Sequence, residues 1–460
     1  MATGKQGRLL RAWPWIAVAI VALLTSEAVH GHPADTDDWK FDVIHLKNGG
    51  KLSGLVVKET SQSVLVWCVN RKPGASTTVI SATIEPKEID HIDSLDEKNR
   101  QILSARLKAL DPTGKGEVRR MANLVLKAGD WGKNGKGQAH IYRSEYFVLE
   151  SNAPEDVVRR AAVRLENVYT AYTRYLAPRV ESAEPTRILL ARSLPDYQAL
   201  LRDDRQPAVQ NPAIYDPARN QICCGSDLQR LGEDLEKIRG EHQRALADLN
   251  AKENELFKLY KGKIPTQFLN PIRESRSHIA LQDDRNERLF QEATSHLFQR
   301  LTHEAFHAYL ASFVYSPSDA EVPRWLNEGL AQIFETAIIE AGELRAGHPD
   351  RTRLRRVQTM LNKGDFLAVA DLLKSGPKQF LVQHATDQQA SDRHYLASWA
   401  LAYYLTFERR LLAGKAMDEY VRALHRGGDP LAAFREFVGQ PLPEFEKDFR
   451  RYMERLPAGK

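Results

Sequence analysis

The sequence predicts an α+β protein with a small N-terminal β unit and a larger mixed domain that carries an inserted helical arm. Residues 36–95 contain short β-branched and aromatic runs separated by turn residues. From residue 141 strand and helix patterns alternate, and residues 228–262 form a charged, proline-free heptad pattern. With 460 residues, the chain is too long for a single core, so we expect two or three folding units.

The first 28 residues have the order of a secretory signal. A basic start precedes an apolar run and two small residues, namely Lys5, Arg8, Arg11, residues 13–24, Ser26 and Ala28. We predict cleavage after Ala28, with Gly31 as a second possible site, and a secreted, periplasmic or cell-envelope location. An uncleaved anchor is the alternative, but this short apolar run would span only about 18 Å of a core roughly 30 Å thick. No stable membrane insertion is expected after cleavage.

Residues 36–95 are predicted to form a small all-β unit. Phe41 to Lys47 and Lys51 to Lys58 are strand-like, and Asn48-Gly49-Gly50 between them is a strong hairpin signal. Five short strands in this stretch resemble the small SH3-like or Sm-like barrels found beside exported bacterial catalytic domains. We interpret the unit as a packing or spacer module in preference to a ligand-binding one. Residues 96–140 are predicted to be a helical connector and loop.

Residues 141–460 are predicted to be one mixed domain. An amphipathic helix over 156–176 lies between two strands, and residues 214–224 are typical of a hairpin. Residues 228–262 predict a long helix that returns as an antiparallel arm; a parallel coiled coil between two chains is the alternative. Residues 345–460 are expected to be helical. The oligomeric state stays open.

Charge and cysteine content exclude some classes of protein. The formal net charge is only +5, which does not favour a nucleic-acid partner. Three cysteines, Cys68, Cys223 and Cys224, cannot make a disulfide framework and lack CxxC spacing. We therefore expect them to be small buried residues and not metal ligands.

The most informative string contains His303, Glu304 and His307 in HExxH spacing within a proline-free run. On a helix, His303 and His307 lie one turn apart on the same face and can share one Zn²⁺ ion. Glu304 is rotated about 100° from His303, so it can lie beside the metal without binding it and accept a proton from a water that the metal activates.

A third ligand is needed for such a site. The metzincin class is excluded, because it needs glycine and histidine where this chain has Leu310 and Phe313. A glutamate on a following helix is the other solution, and Glu328 in the string WLNEGLA supplies it twenty residues after His307. Pro323 suits the first turn of that helix.

The HEAFH and WLNEGLA strings together resemble the gluzincin clan of zinc peptidases, and most closely the exported peptidase-MA-like domains. The resemblance covers roughly residues 141–410. It implies that His303, His307 and Glu328 hold one zinc ion per chain and that Glu304 is the general base and acid. It also implies a mixed β-sheet lobe and a helical lobe with zinc in the cleft between them, and it suggests that the 214–224 hairpin offers an edge strand to an extended substrate.

Three further residues are judged against this resemblance. Thermolysin-like members often have a carboxylate four residues after the glutamate ligand to orient a histidine, whereas this chain has Gln332. Gluzincins often stabilise the oxyanion with a tyrosine or histidine from a later helix. We expect Tyr395 to take that role in preference to His394, although a tyrosine that merely begins a buried helix is an equally simple interpretation.

The predicted function is hydrolysis of polypeptides by a zinc endopeptidase. No amine-anchoring segment is visible, so exopeptidase action is not supported. Two alternatives stay open: a zinc-bearing binding protein of the cell envelope without proteolytic activity, and a scaffolding protein in which the histidines are incidental. The sequence does not identify the substrate.

Overall fold

The protein has a mixed α+β fold, as the sequence predicts, and its contacts divide it into two compact units at Gly116 and Glu117. The computed structural model describes residues 39–71, 76–111, 115–132, 137–180, 183–203, 212–316, 322–344, 349–380, 385–412 and 414–457. The signal predicted over residues 1–28 lies outside these ranges. Within them, no helix has both the length and the apolar character needed to cross a bilayer.

The first unit contains a five-stranded antiparallel sheet in the order β4-β3-β2-β1-β5. Its strands are β1 (Asp42–Leu46), β2 (Lys51–Glu59), β3 (Val64–Asn70), β4 (Thr78–Ile84) and β5 (Ile89–Asp93). A one-turn 3-10 helix, Pro86–Glu88, precedes β5, and helix α1 (Glu97–Leu110) follows it. Among the described residues β4 and β5 are the edges, and no pairing between them closes the sheet.

Strand β1 alternates between core and surface, which places Ile44 and Leu46 inside a small apolar core. Asp42 on the same strand is fully buried, yet its carboxylate accepts hydrogen bonds from the backbone N–H groups of Val56 and Leu95 and from Arg100. A buried carboxylate with three donors is satisfied, so Asp42 ties the sheet to the start of α1.

The second unit contains a six-stranded mixed sheet in the order β10-β11-β9-β8-β7-β6. Its strands are β6 (Lys127–Asp130), β7 (Gln138–Arg143), β8 (Phe147–Ser151), β9 (Thr186–Ala191), β10 (Ala213–Asp216) and β11 (Gln221–Gly225). Strands β8, β9 and β11 are parallel neighbours, while β10 and β6 are antiparallel edges.

This sheet begins earlier than residue 141, inside the stretch predicted as a helical connector. Helix α2 (Lys115–Asn123) precedes β6 there. The sequence Lys-Ala-Gly-Asp of β6 has no β-branched or aromatic residue, so it carries no strand signal of its own. Its pairing with β7 makes it a strand.

Helices connect and cover the sheet. They are α3 (Glu155–Tyr175), α4 (Leu194–Asp203), α5 (Leu228–Leu259), α6 (Thr266–Tyr309), α7 (Arg324–Thr336), α8 (Arg351–Lys363), α9 (Val369–Leu373), α10 (Ala385–Tyr403), α11 (Lys415–His425), α12 (Pro430–Val438) and α13 (Leu442–Arg455). A two-stranded ribbon, β12 (Ile339–Glu340) and β13 (Glu343–Leu344), lies between α7 and α8. Cys68, Cys223 and Cys224 are buried and form no disulfide, as predicted.

Helices α5 and α6 form an antiparallel pair. Ion pairs join Arg239 to Glu287, His242 to Asp283 and Glu253 to Arg276, so residue numbers fall on one helix as they rise on the other. Helix α6 is 44 residues long and runs from the far end of this pair into the HExxH segment. The arm and the candidate site therefore share one continuous helix.

An aromatic cluster supports the last turns of α6. Phe306 stands between the two histidines in the sequence. Its ring centroid lies 4.9 Å from that of Phe334 on α7 and 5.2 Å from that of Tyr172 on α3. The Tyr172 hydroxyl donates to the carbonyl oxygen of Thr302 at 2.6 Å. Because interiors are close-packed, these contacts fix the orientation of α6 relative to α7.

Candidate metal centre

Helix α6 places His303 and His307 on one face, one turn apart. Their rings are 4.7 Å apart and nearly perpendicular, and both side chains are buried, with 3% and 8% exposed. Both histidines line the cleft, while Phe306 of the same turn packs against Phe334. Two imidazoles at this spacing are suited to a shared metal ion.

Helix α7 brings Glu328 to the same point. Its Oε2 lies 3.3 Å from His303 Nε2 and its Oε1 lies 3.6 Å from His307 Nε2. One ligand atom from each of the three residues lies within 4.8 Å of the others, and Glu328 is only 1% exposed. The two helices thus bring together all three residues that the sequence predicts as ligands.

The far nitrogen of each imidazole has its own oxygen partner. His303 Nδ1 lies 3.2 Å from Glu335 Oε2, and His307 Nδ1 lies 2.7 Å from Asn327 Oδ1. Since those oxygens accept, a neutral imidazole carries its proton on Nδ1 and turns the lone pair of Nε2 toward Glu328. This is the tautomer that a metal ion requires.

The side chains of His303, His307 and Glu328 are better arranged to bind a cation than to form hydrogen bonds with one another. Glu328 Oε2 is buried and has no hydrogen-bond partner, because its contact with His303 is close but not aligned for a hydrogen bond. A buried carboxylate oxygen without a hydrogen bond, next to two imidazole nitrogens, is stabilised by a positive charge at this point. Two nitrogens and one carboxylate oxygen are a donor set that Zn²⁺ favours.

The pKa values of His303 and of Glu328 also favour a positive charge at this centre. Burial alone lowers the pKa of His303, but the carboxylates of Glu328 and Glu335 outweigh burial and raise it to about 9. Burial acts to raise the pKa of Glu328, yet the two imidazoles lower it to about 2. Burial lowers the pKa of His307. In the metal-free protein the proton of His303 therefore supplies the positive charge that a metal ion would bring.

Sequence reasoning missed Glu335. The expected orienting position, Gln332, instead donates its amide N–H to the carbonyl oxygens of Glu328 and Tyr395, at 3.2 and 3.0 Å. Glu335 lies seven residues after Glu328, which is two turns along the same helical face. That spacing is the signal that could have found it. Arg353 of α8 holds the Glu335 carboxylate at 3.0 Å.

Glu304 lies beside the three donors with its carboxylate held from two sides. Arg300, one turn earlier on α6, donates to Oε1 at 2.8 Å, and the backbone N–H of Tyr215 donates to Oε2 at 3.1 Å. Arg300 also approaches Glu335, at 3.9 Å. Arg300 therefore links the expected base to the carboxylate that orients His303, a connection that the sequence analysis did not predict.

Tyr395 lines the same cleft from α10. Its hydroxyl donates to the carbonyl oxygen of Phe380 at 3.3 Å, and burial raises its pKa to about 12. His394 does not line the cleft; its ring packs against Phe380. The tyrosine is therefore the better placed of the two candidates, although its hydroxyl has a structural partner of its own.

The cleft has a volume of about 660 Å³ and is bordered by strand β10. Ile214 and Tyr215 of this edge strand line it, so its outward backbone groups border the centre. Arg324 at the opposite side donates to Glu328 Oε1 at 2.7 Å and keeps nearly half of its side chain exposed. Both arginines and carboxylates line the walls, which makes the cleft polar.

Comparison with known proteins gives one match. Residues 299–426 match a family described as "Protein of unknown function (DUF1570)". The matched segment includes the end of α6, all of α7 and all of α10, which carries Tyr395. No curated protein and no solved structure matches the chain.

Proposed function

We propose that this protein is an exported zinc-dependent endopeptidase of the gluzincin type. The observation that carries the proposal is the buried, unpartnered Oε2 of Glu328 facing the two imidazoles, with Glu304 beside them in one cleft. In this proposal His303, His307 and Glu328 hold one zinc ion. When bound, zinc supplies Lewis acidity, which lowers the pKa of a water and polarises a carbonyl group.

The residues of the chain then have separate tasks. Glu304 accepts a proton from the attacking water and returns it to the leaving amine. Arg300 and the Tyr215 N–H hold the Glu304 carboxylate in position before substrate arrives. Tyr395 donates a hydrogen bond to the substrate carbonyl oxygen as charge develops there, for which its raised pKa keeps the proton in place.

Strand β10 is proposed to align the substrate. It is an edge of the sheet and borders the cleft. The Tyr215 N–H already donates to Glu304, so an extended peptide would pair with the remaining outward backbone groups of this strand. Pairing of backbone with backbone binds many sequences. We therefore expect an endopeptidase that accepts unfolded polypeptides.

We also propose that the second unit has a gluzincin-like fold. A mixed sheet with an edge strand beside the HExxH helix, and a helical part that contributes the glutamate, support a two-lobed domain of that type. For the first unit we propose a small SH3-like barrel. Its support is an apolar core on one face of the sheet and β-bulges at His45/Leu46 and Val56/Lys58, which bend strands as barrel curvature requires.

A zinc-bearing protein without proteolytic activity is the second candidate. The observation that favours it is the double engagement of Glu304, because the hydrogen bonds from Arg300 and Tyr215 occupy both carboxylate oxygens that would have to meet a water. The third candidate, a scaffold with incidental histidines, predicts a protein that takes up no zinc at this centre.

Cleavage of unfolded polypeptides distinguishes these candidates. We expect the purified protein to contain zinc and to cleave such substrates. Addition of a chelator should abolish the cleavage. Glu304→Gln should retain zinc and lose cleavage by a factor of about 10² to 10⁴, the usual contribution of a general base. Glu292→Gln, an exposed change on the same helix, is the matched control and should keep full activity.

Each outcome of this experiment supports or rejects one of the three candidate functions. Cleavage that persists in Glu304→Gln rejects the proposed base. Zinc bound without cleavage in the wild-type protein favours the binding protein, and absence of zinc from the centre favours the scaffold.

A further inference from the structure

A second cluster of metal-binding side chains lies on the first unit, apart from the proposed peptidase centre. His45 on β1 and His91 on β5 are direct partners in the antiparallel register. Side chains directly opposite on neighbouring strands share a face of the sheet. Ile44 and Ile92, the next pair, face the apolar core, so the two histidines face solvent.

Asp93 completes the cluster. It lies two residues after His91 on the same face of β5 and reaches diagonally toward β1. Its Oδ2 is 2.9 Å from His45 Nε2 and its Oδ1 is 4.0 Å from His91 Nε2. One donor atom from each of the three residues lies within 4.8 Å of the other two.

The two imidazoles lie next to each other, although their stacked rings require one ring to turn before both Nε2 lone pairs can face a shared ion. Their rings stack with centroids 4.0 Å apart and an angle of 16° between the planes. His91 Nδ1 lies 2.9 Å from Asp90 Oδ2, which places the proton of a neutral imidazole on Nδ1 and leaves Nε2 unprotonated. A carboxylate that fixes the tautomer of a histidine in this way is a common feature around metal ligands.

We propose that His45, His91 and Asp93 form a second site, for a divalent transition-metal ion, with Zn²⁺ as the ion that the donors suit best. Ligand atoms around tetrahedral zinc lie roughly 3.3 Å apart, and the two observed distances from Asp93 to the imidazoles lie on either side of that value. Two imidazoles exclude Ca²⁺ and Mg²⁺, which take oxygen ligands.

The site is open and its affinity should be lower than that of a buried centre. Asp93 has 66% of its side chain exposed and His91 has 54%, so water completes the coordination. Lys51 lies opposite His45 on the other neighbouring strand, β2, and its positive charge opposes a cation nearby. Asp90 and Asp93 together outweigh that single charge.

Zinc counting on the full-length chain tests the site. Equilibrium dialysis against increasing Zn²⁺ is compared for wild type, His91→Asn, His45→Asn and the control His296→Asn, an exposed histidine outside both clusters. We expect the first two variants to bind one zinc ion fewer per chain and the control to match wild type. Asp90→Asn should keep the site but weaken its affinity about tenfold or more.

The test does not depend on the proposed peptidase. If the centre around Glu328 binds no zinc, wild type and every variant bind one zinc ion fewer per chain. The difference in zinc content between wild type and the variants is then unchanged. Circular dichroism and thermal unfolding establish that each variant is folded. The inference is overturned if folded His45→Asn and His91→Asn both bind as many zinc ions as wild type, or if Mg²⁺ at equal concentration displaces the second ion.

Discussion

Glu335 is the residue that orients His303, one of the three proposed ligands. Its carboxylate faces His303 Nδ1, and Arg353 and Arg300 surround it. The neighbouring imidazole and both arginines lower its pKa to about 2 in spite of burial, so it stays ionised across the physiological range. An ionised acceptor at Nδ1 makes Nε2 more electron-rich and a stronger metal ligand.

We predict that Glu335→Gln weakens zinc binding by a factor of 10 to 100, the usual effect of removing such a partner. Glutamine keeps the size of the side chain and an oxygen acceptor, so the fold should be unchanged. Competition with a zinc chelator of known affinity measures the change. Gln332→Glu is an informative comparison: zinc affinity should not rise, because position 332 faces carbonyl oxygens and not a histidine.

The raised pKa of His303 predicts a pH dependence for the metal-free protein. Its folded-state pKa of about 9 exceeds the ordinary value of 6.5, so the proton contributes stability that is fully present below pH 6.5. That contribution is lost as the pH rises toward 9. After chelation, the free energy of unfolding should therefore fall between pH 6.5 and 9, as measured by urea denaturation. In His303→Gln this slope should be absent, and a persisting slope would assign it to another group.

Helix α7 approaches α10 closely because of Gly329, the glycine of the WLNEGLA string. A Cβ atom there would lie 2.5 Å from the carbonyl oxygen of Ser398 and 2.7 Å from the Cβ of Ala402. Both distances are shorter than real contacts allow, so only glycine permits this spacing. The close approach matters for the centre, since Glu328 is the preceding residue.

We predict that Gly329→Ala destabilises the protein by about 1–3 kcal/mol, the usual cost of overpacking, and lowers zinc affinity by displacing Glu328. Gly240→Ala on α5 is the matched control. It has open space around the added methyl group and should be neutral or stabilising by up to about 1 kcal/mol. Thermal unfolding of the two variants side by side measures the difference; equal stability would mean that α7 and α10 can separate without cost.

The sequence predicted elements well wherever their local signals were strong. The hairpin at Asn48-Gly49-Gly50, the amphipathic helix α3 and the helices of the HExxH and WLNEGLA strings all form. Strand β6 was missed because its side chains carry no strand preference and only pairing with β7 makes it a strand. Arg300 was missed for a related reason, because its role depends on Glu335 of another helix, which one-dimensional spacing does not reveal. Glu335 could have been found only from its seven-residue spacing after Glu328.

On the scale of the whole molecule, the centre joins elements that are distant in sequence. Strand β10 contributes a backbone donor to Glu304, α6 and α7 contribute the three proposed ligands, and α8 contributes Arg353. A metal ion at this junction binds the folded state and not the unfolded chain. Its binding free energy therefore adds to the stability of the second unit.

We predict that free zinc at a thousandfold excess over its dissociation constant raises the free energy of unfolding of this unit by about 4 kcal/mol. Glu328→Gln should lose most of this effect, because it removes the charged ligand. Calorimetry with and without zinc measures the change, and His296→Asn serves as a control for zinc bound elsewhere. Equal stabilisation of Glu328→Gln and wild type would place the stabilising ion at a different site.

Anomalous diffraction from crystals of the zinc-loaded protein, recorded at the zinc absorption edge, tests the central claim most directly. We predict a peak about 2.0–2.2 Å from Nε2 of His303, Nε2 of His307 and Oε2 of Glu328, with one position open toward Glu304. A zinc-loaded crystal with no anomalous peak among these three side chains would contradict the account.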